Sequence, residues 1–354
     1  MRGQECDLTL LFDRDNVRYF TGFRLNRACM SILAVSSDGE PTYAVARLDI
    51  ERARRDCWIK RIVAFPEDTP SYLAALDPFL TRGVRRIGVE RDVLTLAHAE
   101  AIREQAEHDV EFVDIRAVTT RLRLIKCEEE VRLLRAAASV ADQAMDAVRE
   151  VIRSGQTEAD IVGFVEHQVR LAGGEGTSFE PFMMSGERAW LPQRVGSNHR
   201  MRDGEMAILD MGAVVDGYSS DLTRTFGLGR LTAAQEEVFR LSLEAHDAAI
   251  EAVRPGVLAS DVDATAREMI VATGHGEHFP HITGHGLGVS THEPPIIDEG
   301  VSVALQPGMV LTIEPGVYVP GVGAARIEDM VLVTNDGHEV LTQADRGLSR
   351  KGQL

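Results

Sequence analysis

The sequence predicts an α/β (α+β) chain of two domains, the second built from two related halves. Three observations carry this expectation. Short apolar runs alternate with helical stretches over the first 120 residues, one segment recurs at an offset of 101 residues, and two hairpin-like segments occupy corresponding places in the halves.

Apolar, β-rich runs fall at 8–12, 30–35, 42–46, 61–65, 86–90 and 111–115, with helical stretches at 49–57, 71–80 and 94–105 between them. Strands alternating with helices indicate an α/β domain. No GxGxxG, phosphate-binding loop or cluster of histidines and acids interrupts this region. A long helix is expected from about Lys126, in CEEEVRLLRAAASVADQAMDAVREVI, where apolar residues recur at helical spacing behind an acidic first turn. The boundary is therefore set just before it, giving domains 1–122 and 123–354. In the second domain IRSGQTEADI (152–161) aligns with VRPGVLASDV (253–262). Each follows a long amphipathic stretch and precedes a hairpin-like one, an order of elements that favours duplication over coincidence. A duplicated half implies a pseudo-twofold domain with a site where the halves meet.

At 354 residues, two domains fit better than a single core. The net charge of −17 argues against nucleic acid or an anionic membrane as partner. Cys6, Cys29, Cys57 and Cys127 form no CxxC pair, the pattern of reduced thiols rather than a disulfide framework. MRGQECDLTLLF does not read as a signal peptide, and no apolar run approaches the roughly 20 residues that span a bilayer. A soluble, cytoplasmic protein is the expectation.

The chemistry lies in the hairpins. In AILDMGAVVDGYSSDLTRTF, Asp210 interrupts an apolar strand and Asp221 follows beyond an Asp216-Gly217 turn. A carboxylate inside a strand is costly to bury unless it is paired or bound to a metal. Parity across the hairpin lets both point to one face, adjacent or diagonal. In LTIEPGVYVPGVGAARIED, Glu314 and Glu328 flank a turn near Gly321 in the same way. Four carboxylates in one cleft need cations, and more than one divalent ion to balance them. Between the hairpins, His278, His281, His285 and His292 crowd one short stretch of a chain with 11 histidines. Any one of them alone is more often a surface or satisfied core residue than a ligand. Gly284 and Gly286 around His285 suit a close backbone approach to a ligand.

DMGAVVDGYSSDLTRTF, HITGHGLGVSTHEPP, EPGVY and RIED together resemble the pita-bread metallopeptidases: methionine aminopeptidase, aminopeptidase P, prolidase and the metal-free relative creatinase. Residues 1–120, through DRDNVRYFTGF, resemble the creatinase-type N-terminal domain, and the two-domain length is most like prolidases. The resemblance implies a creatinase-type N-terminal domain followed by a pita-bread catalytic domain. It also implies two divalent ions held by Asp210, Asp221, His285, Glu314 and Glu328. Asp210 would chelate one ion, Asp221 and Glu328 would bridge both, and His285 and Glu314 would complete the other. So oxygen-rich a set favours manganese, with Co2+, Zn2+ or Fe2+ as alternatives. Glu314 is implied as general base, His292 and His281 as contacts to the substrate carbonyl and scissile amide, and Arg326 as support for a ligand carboxylate.

The implied reaction is hydrolysis of an Xaa-Pro bond in a small peptide, by a homodimer. One position departs from the family pattern: Gln193, in AWLPQRVGSNHR, stands where the peptidases usually carry histidine, and glutamine cannot shuttle a proton. His199 is the nearby substitute. The departure keeps open a non-peptide C–N hydrolase of the ectoine-hydrolase kind. An inactive binding module on this fold is disfavoured, because all five ligands are retained.

Overall fold

A computed structural model describes residues 6–25, 29–65, 76–80, 83–106, 108–191 and 195–351. The chain divides into two compact units, Met1–Leu122 and Arg123–Leu354. In the first, β1 (Leu8–Leu11), β2 (Ser31–Ser36), β3 (Pro41–Ala46), β4 (Arg61–Phe65), β5 (Arg86–Val89) and β6 (Glu111–Asp114) form one sheet in the order β4-β3-β2-β1-β5-β6. The ladders flanking β1 differ in sense: β2 runs antiparallel to it and β5 parallel. Alternate residues feed two cores. Leu10, Ile32 and Ala44 pack in one, while Leu11, Leu33 and Tyr43 pack in the other. Strand alternation thus buries both faces of the sheet, which is why these runs read as continuously apolar.

The helices of this unit are α1 (Arg14–Thr21), α2 (Ile50–Asp56), α3 (Asp77–Leu80), α4 (Leu96–Gln105) and α5 (Arg116–Leu124). The stretch at 71–75, expected to be helical, lies outside the described residues. Two helices correct the sequence reading. Within DRDNVRYFTGF, Asp13 accepts from the Asn16 N–H and caps α1, while Gly22 ends it in the left-handed region. The buried Glu90 carboxylate accepts from the Phe12 and Asp13 N–H groups and from the Asn16 amide, fixing the helix entry. The stretch at the expected domain boundary, to which no element was assigned, forms α5.

The second unit begins with α6 (Glu128–Val151), whose N-terminal Cys127 N–H is accepted by Glu130, and α7 (Glu158–Leu171). Then come β7 (Gly176–Thr177), β8 (Phe182–Ser185), α8 (Glu187–Trp190), β9 (Met206–Met211), β10 (Ala213–Val215), β11 (Tyr218–Ser219) and β12 (Leu222–Leu228). The second half opens with α9 (Ala233–Ala252) and α10 (Ala259–Ala272). It continues through β13 (Gly284–Gly286), β14 (Glu293–Ile297), β15 (Val310–Ile313), β16 (Gly316–Val319), β17 (Gly323–Arg326), β18 (Asp329–Val333) and β19 (His338–Val340), and β20 (Ser349–Lys351) closes the chain. The main sheets are β20-β12-β9-β8 and β14-β13-β15-β18-β19.

The repeat seen in sequence has a structural counterpart. α7 and α10 are both 14 residues long and begin 101 residues apart. Gly155 and Gly256 both take positive φ (89° and 86°), and their N–H groups donate to Met201 and Leu305 carbonyls. Each half has its own core, one around Val148, Ile161 and Leu209, the other around Ala249, Val262 and Leu311. Among the described residues, no helix is long and apolar enough to cross a membrane.

Candidate metal centre

In the first hairpin, Asp210 on β9 stands opposite Thr223 on β12. Asp221 precedes Thr223 by two residues, so the two aspartates are diagonal neighbours across the ladder. The turn beyond is the expected one: Asp216 and Gly217 both take positive φ, as a two-residue turn requires, and β10 pairs with β11 around them. In the second hairpin, the Ile313–Asp329 and Gly316–Arg326 pairs share one register. Continued through the gap between these ladders, that register brings Glu314 and Glu328 to matching positions. His285 is the middle residue of β13, inside the sheet that holds β15 and β18.

These side chains converge. Asp221, His285 and Glu328, all buried, present ligand atoms within 4.8 Å of one another. His285 Nε2 lies 3.3 Å from Glu314 Oε1 and 3.7 Å from Asp221 Oδ2. Its Nδ1 donates to the Gly286 carbonyl at 3.0 Å, which orients the ring and leaves Nε2 toward the carboxylates. Arg326 donates to Asp210 through Nη2 and to the Thr223 hydroxyl through Nε. That hydroxyl in turn donates to Glu328 Oε2 at 2.7 Å.

The electrostatics state the charge problem directly. Burial, and then the charges of Glu328, Asp210 and Glu314, push the Asp221 carboxyl well above the usual carboxylate range. Burial, then Glu314 and Asp210, does the same to Glu328. Glu314 goes the other way: burial opposes ionisation, but the hydrogen bond and charge of His285, followed by Arg326, hold it at about 2. A buried set of this composition favours protons or cations, and one imidazole with several hard oxygens fits divalent first-row ions.

Around this set stand the other expected residues. The exposed ring of His292 stacks on His285 with centroids 4.0 Å apart. His281 donates from Nδ1 to the Ile282 carbonyl, so Nε2 accepts from the Tyr318 hydroxyl at 2.9 Å. Tyr318 in turn accepts from Arg326 Nη1. His278 joins none of this and pairs with His275 instead. Tyr318 and Arg224, which lie in the quoted motifs, are residues that sequence reasoning left without a role, and Thr223 was not singled out. Their signal was proximity to the clustered carboxylates: Thr223 and Arg224 follow Asp221 by two and three positions, and Tyr318 follows Glu314 by four.

The glycines around His285 are required by the packing of the strands. A Cβ on Gly284 would lie 2.0 Å from the Thr312 carbonyl oxygen, and one on Gly286 would lie 2.4 Å from that of Pro294. The close approach seen is to the backbone of the neighbouring strands. Gln193 lies outside the described residues. His199, its suggested substitute, has its Nε2 3.5 Å from Glu205.

Residues 132–335 match the model of metallopeptidase family M24, and residues 1–125 match the creatinase/prolidase N-terminal domain. The chain is 35% identical to YkvY of Bacillus subtilis (strain 168) over 95% of its own length and 93% of that protein's. It superposes on the prolidase from Pyrococcus horikoshii OT3 with a TM-score of 0.91 and 32% identity, covering 98% of this chain and 97% of that one. The Xaa-Pro dipeptidase from Bacillus anthracis gives a TM-score of 0.91 at 30% identity, covering 99% and 96%. With the fold, the carboxylate–histidine cluster and these matches in agreement, the chain belongs to metallopeptidase family M24 and carries a creatinase/prolidase N-terminal domain.

Proposed function

We propose that this metallopeptidase is a dinuclear enzyme that hydrolyses Xaa-Pro bonds of small peptides, in the manner of a prolidase-type dipeptidase. The convergence of four carboxylates and one imidazole at a buried place carries the reading. Asp210 would chelate one ion, Asp221 and Glu328 would bridge, and His285 with Glu314 would complete the second position. Manganese is the first assignment, because the donors are mostly hard oxygens. When bound, the ion pair supplies a nucleophile at neutral pH and polarises the scissile carbonyl.

The chain's own groups do the rest. Glu314 receives the proton of the attacking water and delivers it toward the leaving amine. His292, stacked beside His285, faces the substrate carbonyl. His281, its tautomer set by Ile282, stands at the scissile amide. Arg326 holds the Asp210 carboxylate in place and steadies the Tyr318 hydroxyl against His281. The prolidase and Xaa-Pro dipeptidase named above support proline as the residue after the scissile bond.

Elemental analysis after manganese loading should give about two ions per chain, with cleavage of Ala-Pro or Leu-Pro in preference to Ala-Pro-Ala. An active protein free of metal and indifferent to chelators would end the metal reading. Two bound ions without cleavage of any of the three peptides would end the Xaa-Pro reading and leave the non-peptide C–N hydrolase.

A further inference from the structure

Arg224 is an arginine with almost no exposure, on the strand that follows Asp221. Strand alternation turns it away from Thr223 and hence from the metal centre. Its guanidinium spends every N–H it has. Nη1 donates to the carbonyls of Thr223 (2.9 Å) and Glu328 (2.6 Å). Nη2 donates to Asp329 Oδ1 (2.7 Å) and to the Ala344 carbonyl (2.6 Å). Nε is shared between the carbonyls of Ala344 and Asp345. One planar cation therefore joins three segments: β12 just after Asp221, the peptide that carries Glu328, and the C-terminal stretch at 344–345.

That stretch is docked by other groups as well. Asp142 on α6 accepts from the Gln343 and Ala344 N–H groups, and Arg149 donates to the Gly347 carbonyl. Asp329 accepts from Thr342 Oγ1 at 2.7 Å and from Arg346 Nε at 2.6 Å, with His246 Nε2 at 3.2 Å. Beyond it, β20 pairs in parallel with β12. A lone structural ion pair needs only Asp329. The two donations to the Thr223 and Glu328 carbonyls lie outside that pairing, on the backbone that sets two of the ligand carboxylates.

We infer that Arg224 is a positioning residue for the metal centre, converting the docking of residues 342–346 into the alignment of Asp221 and Glu328. The inference rests on the two-metal reading above. Only a forked, planar donor can bridge all three segments, so a lysine should keep the charge and lose the alignment.

The test compares the full-length wild type with Arg224→Lys, Arg346→Ala and Thr342→Val; the last two reach the guanidinium through Asp329, Arg346 also donating to Asp247 and Thr342 also accepting from the Met330 N–H. Calorimetric titration with Mn2+, the visible absorption of the Co2+-loaded protein, and separate kcat and KM on Ala-Pro are the readouts. Arg224→Lys should lose about 10- to 100-fold in affinity for at least one ion, change the Co2+ spectrum and lower kcat with KM nearly unchanged. Arg346→Ala and Thr342→Val should shift affinity in the same direction by a smaller factor. Wild-type affinity and spectrum in Arg224→Lys, whatever happens to its melting temperature, would overturn the inference. If that variant fails to fold, unchanged metal affinity in both Arg346→Ala and Thr342→Val overturns it equally. A wild type that binds no metal would instead overturn the two-metal reading, and this inference with it.

Discussion

Gly284→Ala is a single methyl placed next to the histidine of the cluster, and its cost can be worked from distances. The added Cβ would sit 2.0 Å from the Thr312 carbonyl oxygen and 2.8 Å from its carbon, where ordinary contact begins at 3.4 Å. β13 must therefore withdraw from β15 by about 1.4 Å, since neither backbone atom can rotate away. Two bonds tie this seam to the site: the His285 N–H donates to Thr312 Oγ1 at 3.1 Å, and the Glu314 N–H donates to the Thr283 carbonyl at 2.7 Å. A withdrawal of that size carries His285 away from Glu314 and Asp221. Misplacing a reacting group by about 1 Å costs on the order of 100-fold in rate, and overpacking a tight seam costs about 1–3 kcal/mol of stability. kcat/KM on Ala-Pro, together with denaturant unfolding, measures both. Gly163→Ala is the control, because its Cβ meets nothing within 4 Å on a helix, where alanine should be neutral or stabilising. Gly284→Ala with the activity and stability of the wild type would refute the seam argument.

Two further outcomes are expected. Glu314→Gln keeps an oxygen ligand and removes the base, so turnover should fall by roughly two or more orders of magnitude with metal still bound; near-normal turnover would assign the proton to another group. Glu293, beside His292, accepts from Arg123 and from the Ser290 N–H, with Lys126 Nζ at 3.6 Å, all three charged side chains being largely buried. Glu293→Gln would strand two cations and should lower the unfolding free energy by about 3–5 kcal/mol in a denaturant titration, whereas a loss under 1 kcal/mol would show that the cations find water instead.

Local pattern made much of the architecture legible. The runs at 8–12 and 61–65 became β1 and β4 within a residue: β1 is buried throughout inside the sheet, whereas β4 is an edge strand with Arg61 and Ala64 exposed and is legible from its β-branched Ile62 and Val63. α1 was missed because its only apolar side chains are Val17, Tyr19 and Phe20, and because its start is set by Glu90, a residue 77 positions from Asp13. α5 was missed because RAVTTRLRL carries three arginines and buries only Thr119, too little for an apolar stripe to register. The glycines beside His285 announced close approach correctly in kind. No single sequence names the approaching partner, which here comes from β14 (Glu293–Ile297) and β15 (Val310–Ile313).

The four carboxylates were legible because burying them demands explanation, and the demand pointed to cations. What the sequence could not apportion was how many of those cations the chain supplies itself. The answer lies in contacts between residues more than 100 positions apart: Arg326 to Asp210, Thr223 to Glu328, Arg224 to Asp329. Arg326 already offsets one carboxylate of the cluster, so the protein does not leave all four charges to bound ions. On the two-metal reading this changes the net charge of the centre. Four carboxylates and two divalent ions would be neutral, and Arg326 adds one positive charge inside a buried site. That positive charge would match the single negative charge that the nucleophile brings and that passes to the peptide carbonyl oxygen as the new bond forms, so the oxyanion would develop at a centre already balanced for it.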